Sequence, residues 1–136
     1  MSAKSSIYNP EGMAKPLGLY SHVARSKAGE YLHIAGQVSI DRAGEVVGSG
    51  DFGAQMRQTY DNLRTALESA GAGFADVVKY TTYITRKEDL PAYRAVRNEL
   101  YEELYPDGDY PPNTLLVVVG LVNDALLVEI EAVAAI

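Results

Sequence analysis

Two carboxylates, Glu129 and Glu131, interrupt the most apolar stretch of the chain, YPPNTLLVVVGLVNDALLVEIEA from Tyr110 to Ala132. A carboxylate in poorly solvated surroundings gains proton affinity, and such a group can hold a water and move a proton during hydrolysis. Strand alternation puts Leu127, Glu129, Glu131 and Val133 on one face and Val128, Ile130, Ala132 and Ala134 on the other. The second set is small and wholly apolar, the natural side for helices, which leaves the glutamates on the open side. In a monomer they would be ordinary solvated strand residues. The preceding segment argues for a cover instead. Leu115, Val117 and Val119 fall on one face and Leu116 and Val118 on the other, so both faces are apolar. The open face is then expected to meet another subunit, with the glutamates near the boundary.

Other chemistries find less support. His22 and His33 are the only histidines; they lie in separate extended pieces, without an HExxH pattern or a third compatible ligand, so catalytic zinc is not expected. The absence of cysteine removes disulfides, thiolate chemistry and cysteine zinc sites. GSGDFG, from Gly48 to Gly53, lacks the strand–helix context and downstream acid of a dinucleotide site, and no GK[ST] phosphate loop exists. No metal, nucleotide or organic cofactor is therefore expected. Twelve basic residues against eighteen acidic ones give a net charge of -6 without a basic cluster longer than a pair, so nucleic acid is not an expected partner. No charge-free apolar span long enough for a membrane and no basic leader precedes the rest, which makes a soluble, cytoplasmic protein the expectation.

The elements that must position the carboxylates follow from periodicity. With 136 residues and 47% hydrophobic composition, residues 1–136 are expected to form one domain. Residues 1–18, with Pro10, Pro16, Gly12 and Gly18 among small polar residues, read as an irregular lead-in. YSHVARS and YLHIAGQVSI, separated by the KAGE turn, read as a hairpin. A helix follows, with Asp51 as N-cap, Gly71 as stop and Met56, Tyr60, Leu63, Leu67 and Ala70 as its apolar stripe. DVVKYTTYIT, Asp76 to Thr85, reads as a central strand. A second helix starts near Asp89 with Pro91 in its first turn and Tyr93, Val96, Leu100 and Leu104 buried. Its prolines and glycine lead to two final strands joined by a turn at Asn123 and Asp124. The order strand, strand, helix, strand, helix, strand, strand argues an α+β sandwich, one sheet with both helices on a single face.

LYSHVARSKAGEYLHIAGQVSIDRAGEVV, the NL..AL..AG...DVVK.T.YI pattern from Asn62 to Ile84, RNELYEELYP and the terminal VEIEAVA resemble the reactive intermediate deaminase family, RidA/YjgF, whose members are also labelled endoribonuclease L-PSP-like. The likeness runs from about Pro16 to Ala134 and rests on the order and spacing of these landmarks. It implies a chorismate-mutase-like (ferredoxin-like) α+β subunit, assembled into a homotrimer whose sheets form a central barrel with clefts between neighbours. It also implies cofactor-independent hydrolysis of reactive enamines or imines to 2-oxo acids and ammonia.

Carried over, the resemblance lines the cleft with Tyr20, Ala35 and Gly36 from AGQ, Asn98, the segment Asn113, Thr114 and Leu115, and Glu129 as the catalytic carboxylate. The same residues also have structural readings: Tyr20 as a boundary residue, Gly36 as a bulge, Asn113 as a turn cap. One departure stands out. Where deaminating members carry an arginine that clamps the substrate carboxylate, this chain has Asn113. An asparagine cannot supply the charged two-point fork, and losing such a clamp on a desolvated anion costs on the order of 2–5 kcal/mol. The archetypal 2-imino acid reaction is therefore not expected unless another cation substitutes. Arg57, Arg64, Arg94 and Arg97 read as helix-surface charges, but Arg94 and Arg97 share one helix face and would serve if that edge borders the cleft. Two functions remain: hydrolytic deamination of an enamine or imine, or non-catalytic binding of a small metabolite by the same trimeric cleft.

Overall fold

The computed structural model describes residues 5–136. In chain order the elements are β1 (Ser5–Tyr8), β2 (Val23–Ser26), β3 (Tyr31–Val38), α1 (Phe52–Glu68), β4 (Val77–Ile84), α2 (Leu90–Leu104), β5 (Asn113–Val117) and β6 (Val128–Ala135). Four strands form a mixed sheet in the order β3-β6-β4-β5, and both helices pack on one face of it, as the α+β expectation requires. β6 runs antiparallel to both of its neighbours, while β4 and β5 are parallel, joined by the α2 crossover that parallel strands need.

Side-chain alternation decides which face is which. Val128, Ile130, Ala132 and Ala134 of β6, with Tyr80 and Ile84 of β4, are buried beneath Met56, Tyr60, Leu63 and Leu67 of α1 and Tyr93, Val96 and Tyr101 of α2. The small β6 side chains let the helices approach the sheet, and large aromatic residues fill the space between. Buried phenols satisfy one another there: the Tyr105 hydroxyl donates to the Phe74 carbonyl at 3.1 Å and lies 2.7 Å from that of Tyr80. α1 starts as read, with Asp51 accepting from the Ala54 amide at 3.0 Å, and stops at Gly71, whose φ of 72° few other residues adopt. Ala70 falls outside the stripe, exposed in the turn after α1.

Three sequence expectations are corrected. β2 and β3 do not form a hairpin: β2 pairs with β1, and β3 pairs with β6 at the other end of the chain. Nor do β5 and β6 pair; β4 lies between them, and residues 118–127 form a long connection. The lead-in is not irregular throughout, since Ser5–Tyr8 forms β1; its first four residues lie outside the described ones. Periodicity reports which side chains share a face but carries no information on which strand lies alongside.

Gln55 anchors α1 to that long connection. It is fully buried, its amide nitrogen donates to the carbonyls of Gly48 (3.2 Å) and Ala125 (2.8 Å), and its oxygen accepts from the Leu127 amide at 2.8 Å. The chain therefore enters β6 in a fixed register. Replacing Gln55 by Leu keeps the volume and strands these backbone groups, so we expect a loss on the order of 3 kcal/mol in urea unfolding. A change below about 1 kcal/mol would remove Gln55 from this role.

Candidate functional site

On the open face of the sheet, Glu129 and Glu131 of β6 stand opposite Tyr83 and Thr81 of β4. The two carboxylates differ in their partners. Glu131 accepts a hydrogen bond from the Tyr83 hydroxyl at 2.5 Å, which raises the Tyr83 pKa. Glu129 has no side-chain hydrogen-bond partner among the described residues. Its pKa is raised, chiefly because it is partly removed from water and secondly because Glu131 is nearby. Gly36 of β3 makes this seat: a Cβ at that position would lie 2.2 Å from Glu129 Oε2. The glutamate thus lies across bare backbone, where β3 shifts register between Ile34 and Gln37. Gly36 is both a bulge residue and the floor of the carboxylate. Its neighbour Ala35 is exposed and its carbonyl accepts from Gln37 Nε2 at 3.0 Å. Thr114 is on the same open face, where its hydroxyl accepts from Lys79 Nζ at 2.8 Å. Partial burial lowers the Lys79 pKa, and Glu131 opposes that shift.

Asn113 and Leu115 alternate with Thr114 and so face the helix side, where they line a hollow of 310 Å³ with Tyr20, Tyr93, Arg94 and Arg97. The Asn113 amide is held on both ends: its oxygen accepts from Thr82 Oγ1 at 2.8 Å and its nitrogen donates to the Tyr93 hydroxyl at 3.1 Å. The Tyr20 hydroxyl accepts from the Leu17 amide at 3.3 Å. Asn98 is exposed on α2, outside the hollow, and accepts from Arg97. Within one chain, therefore, the residues read as a site fall into two groups. Glu129, Ala35, Gly36 and Thr114 lie on the open face; Tyr20, Asn113 and Leu115 lie in the hollow.

Sequence reading missed one member of the hollow's wall and named another only conditionally. Tyr93 was placed only in the core stripe, yet its hydroxyl reaches Asn113. Arg97 was read as a surface charge that would serve as a cation if its helix edge bordered the cleft; it is buried and lines the hollow. The signal was present in the row Tyr93, Arg97, Tyr101, spaced four apart, all buried on one face of α2.

Because the folded-state pKa of Glu129 lies above the ordinary value, its ionisation opposes folding. That contribution is most favourable below the ordinary glutamate range and is lost as pH rises through the raised value. We expect Glu129→Gln to melt higher than wild type near neutral pH, with the gap closing in acid. Gly36→Ala should displace the carboxylate into water; in carboxyl-carbon NMR titrations the Glu129 midpoint then falls toward the ordinary range. An unchanged midpoint would show that Gly36 does not set it.

The model of the endoribonuclease L-PSP family matches residues 12–136. Over 125 residues, covering 91% of this chain and 92% of the relative, the sequence is 40% identical to a RutC family protein of Pyrococcus horikoshii. It is 33% identical over 128 residues to the 3-aminoacrylate deaminase RutC of Acinetobacter baylyi, covering 94% of this chain and 95% of that one. The solved structure of YyfB from Yersinia pestis, a Rid family protein of unknown function, superposes with a TM-score of 0.86 at 36% identity, over 98% of this chain and 99% of that one. With sequence and backbone agreeing over nearly the whole length, the chain belongs to the endoribonuclease L-PSP family of Rid and RutC proteins.

Proposed function

We propose that the protein is a Rid-type, cofactor-independent hydrolase that deaminates a small enamine or imine. The observation that carries this reading is Glu129: a carboxylate with raised proton affinity, seated on the backbone of Gly36 and without a side-chain hydrogen-bond partner among the described residues, while Tyr83 engages its neighbour Glu131. In the proposed reaction an enamine takes a proton at carbon to become the imine. A water held by Glu129 then adds across the C=N bond; the water oxygen bonds to carbon and its proton passes through the carboxylate to nitrogen. Collapse of the adduct breaks the C–N bond, releases ammonia and leaves a carbonyl group. The relative named for deaminating 3-aminoacrylate, an enamine by its name, supports this class of substrate.

A carboxylate on an open strand face needs a wall to exclude water. Leu116, Val117, Val119 and Val122 are exposed apolar side chains, and Leu116 shares the face of Glu129. In our reading two further copies cover this surface as a homotrimer, closing a cleft around Glu129. Sedimentation equilibrium should return three times the chain mass at micromolar concentration; a monomer at that concentration would remove the cleft. The negative net charge favours a small-molecule substrate over RNA despite the family's name, so we expect no salt-sensitive binding or cleavage of single-stranded RNA. A second reading, non-catalytic binding of a metabolite, is favoured by Asn113, whose amide is neutral and already bonded to Thr82 and Tyr93.

Freshly generated imines and enamines of several charge types separate the two. Wild type should accelerate hydrolysis of at least one, and Glu129→Gln should reduce kcat on the order of a hundredfold or more while remaining trimeric. As the ionised carboxylate is the working form, the wild-type rate should fall as pH drops through the raised Glu129 pKa. No acceleration of any substrate, together with a stoichiometric metabolite that stabilises the protein, would establish the binding reading instead.

A further inference from the structure

We infer that the hollow between α2 and β5 is a binding site for the carboxylate of a small organic ligand, with Arg97 as its cation. Arg97 is only 8% exposed, yet no carboxylate pairs with it among the described residues. Its Nε is buried without an acceptor, and one terminal nitrogen donates to the neutral Asn98 oxygen at 3.3 Å. The far more exposed Arg57, Arg64 and Arg86 each have an acidic partner: Glu99, Glu103 and Asp89. Exposed arginines need no counter-ion, but leaving the buried one without an acid is the reverse of what stability alone favours, since a buried charge is costly unpaired.

The surroundings are built to receive an anion. The guanidinium carbon lies 5.3 Å from the centre of the Tyr93 ring, which orients the plane of the fork. Gly18 brings the lead-in down over it: a Cβ there would stand 3.2 Å from both terminal nitrogens. The Tyr93 hydroxyl accepts from Asn113 and the Tyr20 hydroxyl accepts from Leu17, so each keeps its own proton to donate. Arg97, Tyr93 and Tyr20 thus border 310 Å³ of space that no acidic residue lines among the described residues, with the exposed Arg94 also on its wall. The planar fork can engage a carboxylate at two points, and one buried cation balances its single negative charge but not the two of a phosphate. The charge absent from Asn113 is in this way supplied from the neighbouring helix.

The inference goes beyond the proposed function: within one chain the hollow and Glu129 lie on opposite sides of the sheet, and binding in the hollow is measurable without turnover. Calorimetry on the assembled protein would compare propionate, pyruvate and benzoate with the matching amides and with inorganic phosphate. At least one carboxylate should bind tenfold or more tightly than its amide and than phosphate. Arg97→Met should abolish that preference, Arg97→Lys should restore part of it, and Asn113→Asp, which puts an acid in the hollow, should also abolish it. Without ligand, Arg97→Met should melt no lower than wild type, as expected for a charge retained at the expense of stability. Equal binding of acid and amide, equal binding of phosphate, a carboxylate of a second subunit seated on Arg97 in the assembly, or a ligand-free Arg97→Met that melts well below wild type would each overturn the assignment. Glu129-dependent hydrolysis of an uncharged imine would persist if only this inference failed.

Discussion

The arrangement depends on a single strand buried between two others. β6 is hydrogen-bonded along both edges, and its alternation sends Val128, Ile130, Ala132 and Ala134 beneath the helices while Glu129 and Glu131 go to the opposite face. A slip of one residue would place both carboxylates in the aromatic core and expose the small apolar set, so the register is enforced from both sides. Everything that gives Glu129 its character follows from that register. Val38 and Tyr83 flank it on the adjacent strands, Gly36 lies beneath it, and Glu131 is next on the same face, held by Tyr83.

The core and the hollow share structural members. α2 presents one row, Tyr93, Arg97 and Tyr101, whose outer members fill the core while Arg97 reaches the hollow. Tyr93 does both, with a buried ring and a hydroxyl that accepts from Asn113. Thr82, buried in β4, holds the other end of the same amide. A continuous hydrogen-bonded path therefore runs from the sheet through Asn113 to the helix, and the first residue of β5 is immobilised by elements on either side. Such support makes Asn113 a rigid wall rather than an adaptable ligand arm, which is the physical difference between it and a charged clamp.

Two ionisable groups, Glu129 and Arg97, are kept partly or largely out of water with no salt-bridge partner among the described residues. Neither arrangement favours folding. Both lie where backbone without a side chain approaches closely, at Gly36 for the glutamate and Gly18 for the arginine. The cost is carried by a core in which Met56, Leu63, Ile84, Val128 and Ile130 are fully enclosed.

Composition and periodicity by themselves determined the α+β class, both helices and part of each buried stripe, the Asp51 cap, the Gly71 stop and the side of the sheet on which Glu129 and Glu131 stand, because each depends on neighbours within a few residues. Strand partners were beyond their reach. A turn such as KAGE is compatible with a hairpin, yet β3 finds its partner about a hundred residues away, and no local pattern encodes that choice. The contact between Gly36 and Glu129, the burial of Arg97 and the link from Asn113 to Tyr93 likewise belong to the tertiary structure. They join β3 to β6, the lead-in to α2, and α2 to β5, pairs that only the packed sheet and helices bring into contact.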